Sequence, residues 1–192
     1  DEFCILYAPT WRDTQKIRPG RYAMKLMPDL DRLQKSLPGS QLIFRAHHLM
    51  AAQIGAHDNA KVQDVSAFPD VAQQYLAADV LISDYSSVIV DYAITGKPIL
   101  LYTPDLEEYG GHVRGFYGDF AGEVPAPFLK DEAALLDALS QVKSGLLEET
   151  CRERYARWQA KFCALEDGNA ARRVVERVLP SLLGDGGSQG QV

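Results

Sequence analysis

Cysteine is scarce in this 192-residue chain: Cys4, Cys151 and Cys163 are its three thiols. An odd count with no C-x-x-C pair argues against a disulfide scaffold and a cysteine zinc site, so reduced thiols are expected. Positive charge is also in short supply. Lys and Arg number 20 against 26 Asp and Glu, a net charge of −6. That balance speaks against a general nucleic-acid binder, because phosphate backbones are held by an excess of cations. No apolar run approaches the roughly 18 residues of a membrane span, and no secretory signal pattern is present. The dinucleotide fingerprint G-x-G-x-x-G and the phosphate loop G-x-x-x-x-G-K-[ST] are both missing. No cluster of metal-ligating residues stands out, which leans against a metal requirement without deciding it, and no resident cofactor is expected. An initiating methionine is lacking too, and the sequence opens almost at once on Phe3-Cys4-Ile5-Leu6-Tyr7-Ala8. The expectation is a piece of a longer protein.

What is present suits a soluble core. Hydrophobic residues make up 46% and charged residues 24%, enough for one sizeable domain. The reading is a single domain over 1–183 and a disordered Gly- and Gln-rich tail over 184–192. Strand-like and helix-like segments alternate along it. Strands are expected at Cys4–Ala8, Gln41–Ala46, Lys61–Val65, Val80–Ser83 and Ile99–Tyr102. Helices are expected at Asp29–Leu37, Pro69–Ala78, Ser86–Thr95, Glu132–Val142, about Glu148–Phe162, and Asn169–Leu183. Thr103 to Leu129 reads as one long loop. Such alternation predicts an α/β fold, a parallel sheet with helices on both faces. Ligands of these sheets bind beyond the carboxyl ends of the strands. Thr10-Trp11-Arg12-Asp13, Arg45-Ala46-His47-His48, Asp64-Val65-Ser66 and Ser83–Ser87 all follow strands, so all should gather at one edge.

The richest of these clusters is Val80-Leu81-Ile82-Ser83-Asp84-Tyr85-Ser86-Ser87-Val88. It reads as a buried strand, a hydroxyl-rich turn and the start of a helix. Free N–H groups at a helix start attract anions, and serine hydroxyls add donors without bulk. Ser86, Ser87 and Ser83 are therefore candidates for a pyrophosphate; the alternative is that Ser83 or Asp84 only caps the helix.

Taken in order, several segments resemble the CDP-glycerol glycerophosphotransferase family, which builds teichoic acid and related capsule polymers. They are Ile5–Asp13, Arg45-Ala46-His47, Ala78–Ser87, Gly96-Lys97-Pro98, Asp105–Tyr109, Arg114-Gly115-Phe116-Tyr117 and Asp167-Gly168. The resemblance implies a GT-B fold of two Rossmann-like domains, of which this chain would be the C-terminal, donor-binding one. It implies transfer of glycerol phosphate, or a related polyol phosphate, from CDP-glycerol to a growing polymer or lipid-linked acceptor. The missing N-terminal domain would be a partner, and the setting would be cytoplasmic, at the inner face of a bacterial membrane. Two other readings stand beside it: a GT-B glycosyltransferase using a nucleotide sugar, and a non-catalytic nucleotide-binding module.

Residue roles follow as expectations. His47, just past a strand end, would steady the transferred phosphate or handle a proton. Arg45 alternates onto the same strand face and would either orient His47 or pair with a nearby acid. Arg12 is a phosphate ligand or a salt-bridge partner of Asp13 or another loop acid. Arg114 either holds phosphate from a closing loop or pins that loop. Asp91 would reach ribose hydroxyls or form a salt bridge, and Asp64 and Ser66 would edge the cytosine pocket. Trp11 and Tyr85 are core or stacking residues. Arg154, Arg157 and Lys161, with Arg172, Arg173 and Arg177, form either a solvated face or one that meets anionic polymer or lipid headgroups.

Overall fold

A computed structural model describes residues 2–12, 16–19, 21–22, 28–47, 62–113, 115–116, 119–146 and 149–184. Six strands form one sheet: β1 (Phe3–Tyr7), β4 (Ser40–Phe44), β5 (Val62–Asp64), β6 (Val80–Ser83), β7 (Ile99–Tyr102) and β8 (Phe128–Leu129). A separate antiparallel pair joins β2 (Lys16–Arg18) to β3 (Arg21–Tyr22). The helices are α1 (Leu30–Ser36), α2 (Val71–Ala77), α3 (Val88–Ala93), α4 (Leu106–Glu108), α5 (Phe120–Glu123), α6 (Glu132–Lys143), α7 (Glu149–Phe162) and α8 (Ala170–Gly184). Within the expected long loop lie α4, a π-helical turn at Tyr109–Val113, α5 and β8.

Every pairing in the large sheet is parallel, in the order β5-β4-β1-β6-β7-β8. Counted in chain order, its strands run 3-2-1-4-5-6, the doubly wound Rossmann arrangement. The order reverses between β1 and β6, and a crevice opens there beyond the strand ends.

Side chains alternate across each strand, so the apolar runs feed two cores. Ile5, Tyr7, Phe44, Val80 and Ile82 face Leu30 and Leu33 of α1 and Leu135 and Leu139 of α6. Leu6, Ile43, Leu81 and Leu101 face Tyr75 of α2, Ile89 and Tyr92 of α3, and Trp158 of α7. Helix ends are set locally. Asp29, Asp70 and Asp131 each accept a backbone N–H at the start of α1, α2 and α6. Gly96, at φ 70°, turns the chain out of α3. The adjacent Lys97 ammonium donates to the carbonyls of Leu76 and Ala78, 2.7 Å from each, and so closes the carboxyl end of α2.

Candidate active site

The crevice at the reversal point is a cleft of about 420 Å³. Its walls come from three strand ends. Ala8, Pro9, Thr10 and Trp11 follow β1; Arg45, Ala46 and His47 follow β4; Tyr85, Ser86, Ser87 and Val88 follow β6. Val71 and Tyr75 of α2 and Tyr109 complete it. Four residues expected at the site, His47, Arg45, Ser86 and Ser87, are thus brought together by segments 40 residues apart.

Backbone bonding fixes this arrangement. The Ala8 N–H donates to the Ile82 carbonyl at 2.9 Å, and the Arg45 N–H to the Tyr7 carbonyl at 2.9 Å. These extend the sheet ladders one step past the strand ends. Asp84, 3% exposed, binds the next step: its carboxylate accepts the Thr10 N–H at 2.9 and 3.1 Å and the Tyr85 N–H at 2.6 Å. The Ser86 hydroxyl accepts the Val88 N–H at 3.3 Å in the first turn of α3. Ser87 occupies the N-cap position without a side-chain cap bond and is exposed.

His47 is half-buried in the cleft wall, its ring 5.8 Å from that of Trp11 at a 37° tilt. Asp64 and Ser66 act on it from behind. Asp64 accepts the Ser66 N–H at 2.8 Å, and the Ser66 hydroxyl accepts the Ala46 N–H at 2.8 Å, one residue before His47. Both residues sit outside the cleft lining, and their bonds shape the chain at His47. Arg45 lines the cleft, but its guanidinium reaches the 65–68 turn, donating to the Phe68 carbonyl at 2.8 Å and the Val65 carbonyl at 3.5 Å. It braces that turn.

Two expected ligands, Ser83 and Arg12, are turned inward. Ser83 is fully buried, and its hydroxyl donates to the Ala8 carbonyl at 2.7 Å; it belongs to the sheet, not to a phosphate. Arg12 is 7% exposed and turned inward onto Asp84 and Asp105, the structural alternative with more distant acids than Asp13. Asp91 lies on the exposed side of α3, one helical turn beyond the cleft residue Ser87 and not itself in the lining; partial desolvation and the charge of Glu166 raise its carboxyl pKa. Arg114 is outside the described residues.

Tyr109 and Asp105 carry no expected role, Tyr85 is expected as a core or stacking residue, and Asp84 as no more than a helix cap. Tyr85 and Tyr109 stack at 3.9 Å, and the Tyr85 hydroxyl donates to Asp105 at 3.1 Å. Burial, reinforced by Asp105, drives the Tyr85 phenol well above its ordinary pKa, so it is a neutral donor here. Burial also raises Asp84, opposed by Arg12 and the Thr10 donors. For Arg12, burial works against the cation, yet the Asp105 bond and both carboxylates more than offset it. The signal for Asp84 and Asp105 was present, since both fall in segments carrying the family resemblance. Among the described residues, no group of three or more His, Cys, Asp or Glu is placed to hold a metal ion.

Comparison with known proteins finds relatives along nearly the whole chain. Residues 1–180 match the family model described as CDP-Glycerol:Poly(glycerophosphate) glycerophosphotransferase. A teichoic acid glycerol-phosphate transferase of Staphylococcus aureus is 39% identical over 183 residues, covering 93% of this chain and 45% of that protein. A teichoic acid poly(glycerol phosphate) polymerase of Bacillus spizizenii is 38% identical over 181 residues, with the same two coverages of 93% and 45%. Among solved structures, the wall teichoic acid polymerase TagF superposes with a TM-score of 0.81 at 29% identity, covering 96% of this chain and 45% of that one. The chain therefore spans about 45% of the length of these curated relatives.

Proposed function

Because this chain belongs to the CDP-glycerol:poly(glycerophosphate) glycerophosphotransferase family, we propose that it is the donor-binding half of such an enzyme and takes CDP-glycerol, or a related CDP-polyol, into the reversal-point cleft. An acceptor hydroxyl at the end of a polyol-phosphate polymer or lipid-linked primer attacks the β-phosphorus. The new P–O bond forms as the pyrophosphate bridge breaks, glycerol phosphate is transferred, and CMP leaves. The hydroxyl proton passes to a base, for which His47 is the candidate in this half. Transfer of this kind needs in-line positioning and neutralised charge more than covalent help. Ser86 and Ser87 donate to the pyrophosphate oxygens, and the Trp11, Tyr75, Tyr85 and Tyr109 rings wall the rest of the cleft. No resident cofactor enters the scheme.

The observation that carries the reading is the convergence of His47 and the Ser86–Ser87 turn on one cleft at the strand-order reversal. A TagF variant was solved after a soak with CDPG, and its fold matches this chain with a TM-score of 0.80 at 29% identity, which supports the choice of donor. The remaining half of the enzyme supplies the acceptor site. The place of work is the cytoplasmic side of a bacterial membrane, with the protein held there peripherally. Among the described residues no helix is long and apolar enough to cross a membrane.

Calorimetric titration tests this. The chain is expected to bind CDP-glycerol and CMP saturably, with UDP and UDP-glucose weaker, and the Ser86→Ala/Ser87→Ala variant is expected to lose roughly tenfold in affinity. Preference for the uridine compounds would instead assign the cleft to a nucleotide-sugar transferase.

A further inference from the structure

Arg12 is an expected site residue that adjoins the β1, β6 and Tyr109 walls of the cleft without being part of its lining. Its guanidinium is almost fully committed. Nε and Nη2 grip the two carboxylate oxygens of Asp105 at 2.7 and 3.1 Å, a planar fork on a planar acceptor. Nη1 donates to the Thr10 carbonyl at 2.8 Å and lies 2.9 Å from Asp84 Oδ2. Tyr85 and Tyr109, stacked on each other, each place a ring centroid 5.0 Å from its central carbon.

These partners belong to three separate segments. Thr10 lies in the loop after β1, Asp84 and Tyr85 in the turn after β6, and Asp105 and Tyr109 in the segment after β7. Each segment also presents a cleft residue: Thr10 and Trp11, then Tyr85, Ser86 and Ser87, then Tyr109. Without Arg12, Asp84 and Asp105 would face each other as two buried anions around Tyr85, and the three segments would share no cation. We infer that Arg12 is a positioning residue of this site. It holds the serine turn, the β1 loop and the β7 segment in one register, so that donor phosphates meet preset hydroxyls without touching Arg12 itself. This rests on the donor-binding reading above for its effect on ligand, but not for its effect on the three segments. Lysine cannot replace it, since an ammonium has the charge and lacks the fork.

The test uses the full chain with Arg12→Lys, Asp105→Asn and, as a control for lost stability alone, Leu139→Ala, which lies in the core behind the sheet. Two readouts are taken well below each variant's unfolding temperature. In amide hydrogen exchange, Arg12→Lys and Asp105→Asn are expected to lose roughly tenfold or more in protection at Thr10 and Tyr85, whose N–H groups bind Asp84. The amides of Leu6 and Leu81 should keep theirs. In CMP titration, Arg12→Lys is expected to bind roughly tenfold more weakly, as misplacement of a preset site does, whereas Leu139→Ala binds as wild type. Wild-type protection at Thr10 and Tyr85 in Arg12→Lys overturns the inference. So does equal loss of CMP affinity in Arg12→Lys and Leu139→Ala. If the wild-type chain itself fails to bind CMP, the donor reading falls, and the exchange result alone decides the role of Arg12.

Discussion

Ser83 and Ser86 stand three positions apart in one serine-rich run and do unlike work. Ser83 is the last residue of β6, and alternation turns it into the sheet, where its hydroxyl finds the Ala8 carbonyl. Ser86 is past the strand and opens α3. Composition alone does not separate them; the exact strand end does. Ser83→Ala is therefore expected to cost about 1 kcal/mol, the net worth of one buried hydrogen bond, and to leave CMP affinity unchanged. Urea unfolding and titration of the same variant check both halves, and a loss of affinity as large as that of Ser86→Ala/Ser87→Ala would return Ser83 to the phosphate site. Asp84 is a harsher case. It holds the Thr10 and Tyr85 N–H groups and one edge of Arg12 while buried. Asp84→Asn leaves a charged partner underpaired and is expected to destabilise by about 3 kcal/mol; a urea midpoint within error of wild type would refute this. The Arg12–Asp105 grip spans 93 positions, and no local pattern announces such a pairing. That is why Arg12 read equally well as a phosphate ligand.

Elements were legible where periodicity had room to show. Val80-Leu81-Ile82, ahead of Ser83, and Ile99-Leu100-Leu101-Tyr102 are apolar runs between turn signals, and β6 and β7 occupy them. β8 has two residues in a Pro-rich stretch, too few for any alternation, and it becomes a strand because β7 offers an open edge. The β2–β3 pair is as short, and its polar composition gave no apolar face to read. Helix ends were better marked. Pro38-Gly39 and Gly96-Lys97-Pro98 carry the stop residues that follow helices, and both glycines adopt positive φ, 72° and 70°. A Cβ at Gly96 would meet nothing within 4 Å, so Gly96→Ala should cost only the backbone term, about 1 kcal/mol, and Gly96→Asn less. Thermal unfolding of the pair separates this from a packing effect, which would make Asn, the bulkier residue, the worse of the two. α7 docks through polar contacts at the same corner: the Tyr155 hydroxyl donates to the Lys97 carbonyl at 2.8 Å and Gln159 to the Ala93 carbonyl at 2.7 Å. On its apolar side Trp158 is buried, 5% exposed, while Phe162 stays 41% exposed. Its basic residues are partly spent on acids, Lys161 on Glu123 and Arg157 on Glu153.

At the scale of the whole molecule, the strand–helix alternation was enough to anticipate a parallel sheet and a site at its carboxyl edge, because chirality and crossover rules leave few other ways to wind it. What the alternation could not convey is how many titratable hydroxyls and thiols the two cores enclose. Burial raises the Cys4 thiol to about 11 and the Tyr75 phenol to about 12, and moves Tyr7, Tyr85, Tyr92 and Tyr155 upward as well. In the unfolded chain the same groups ionise near 9.0 and 10.0. A group whose folded pKa is raised contributes stability that is complete below its unfolded value and is lost as pH climbs toward the folded one. The sum is a protein whose stability holds to about pH 9 and then falls, most steeply above about pH 10, as the unfolded chain releases protons that the folded one keeps. Urea midpoints at about pH 8, 9.5 and 10.5 measure the fall. Self-repulsion of an already anionic chain acts in the same direction, so the midpoint alone does not isolate the buried groups. Tyrosinate absorbance does: in the folded protein only part of the nine tyrosines should titrate near pH 10, with the remainder appearing together with unfolding. If all nine ionise near pH 10 while the fold persists, the two cores do not shield their phenols as the packing of Tyr85 under Tyr109 and of Tyr92 under α2 requires.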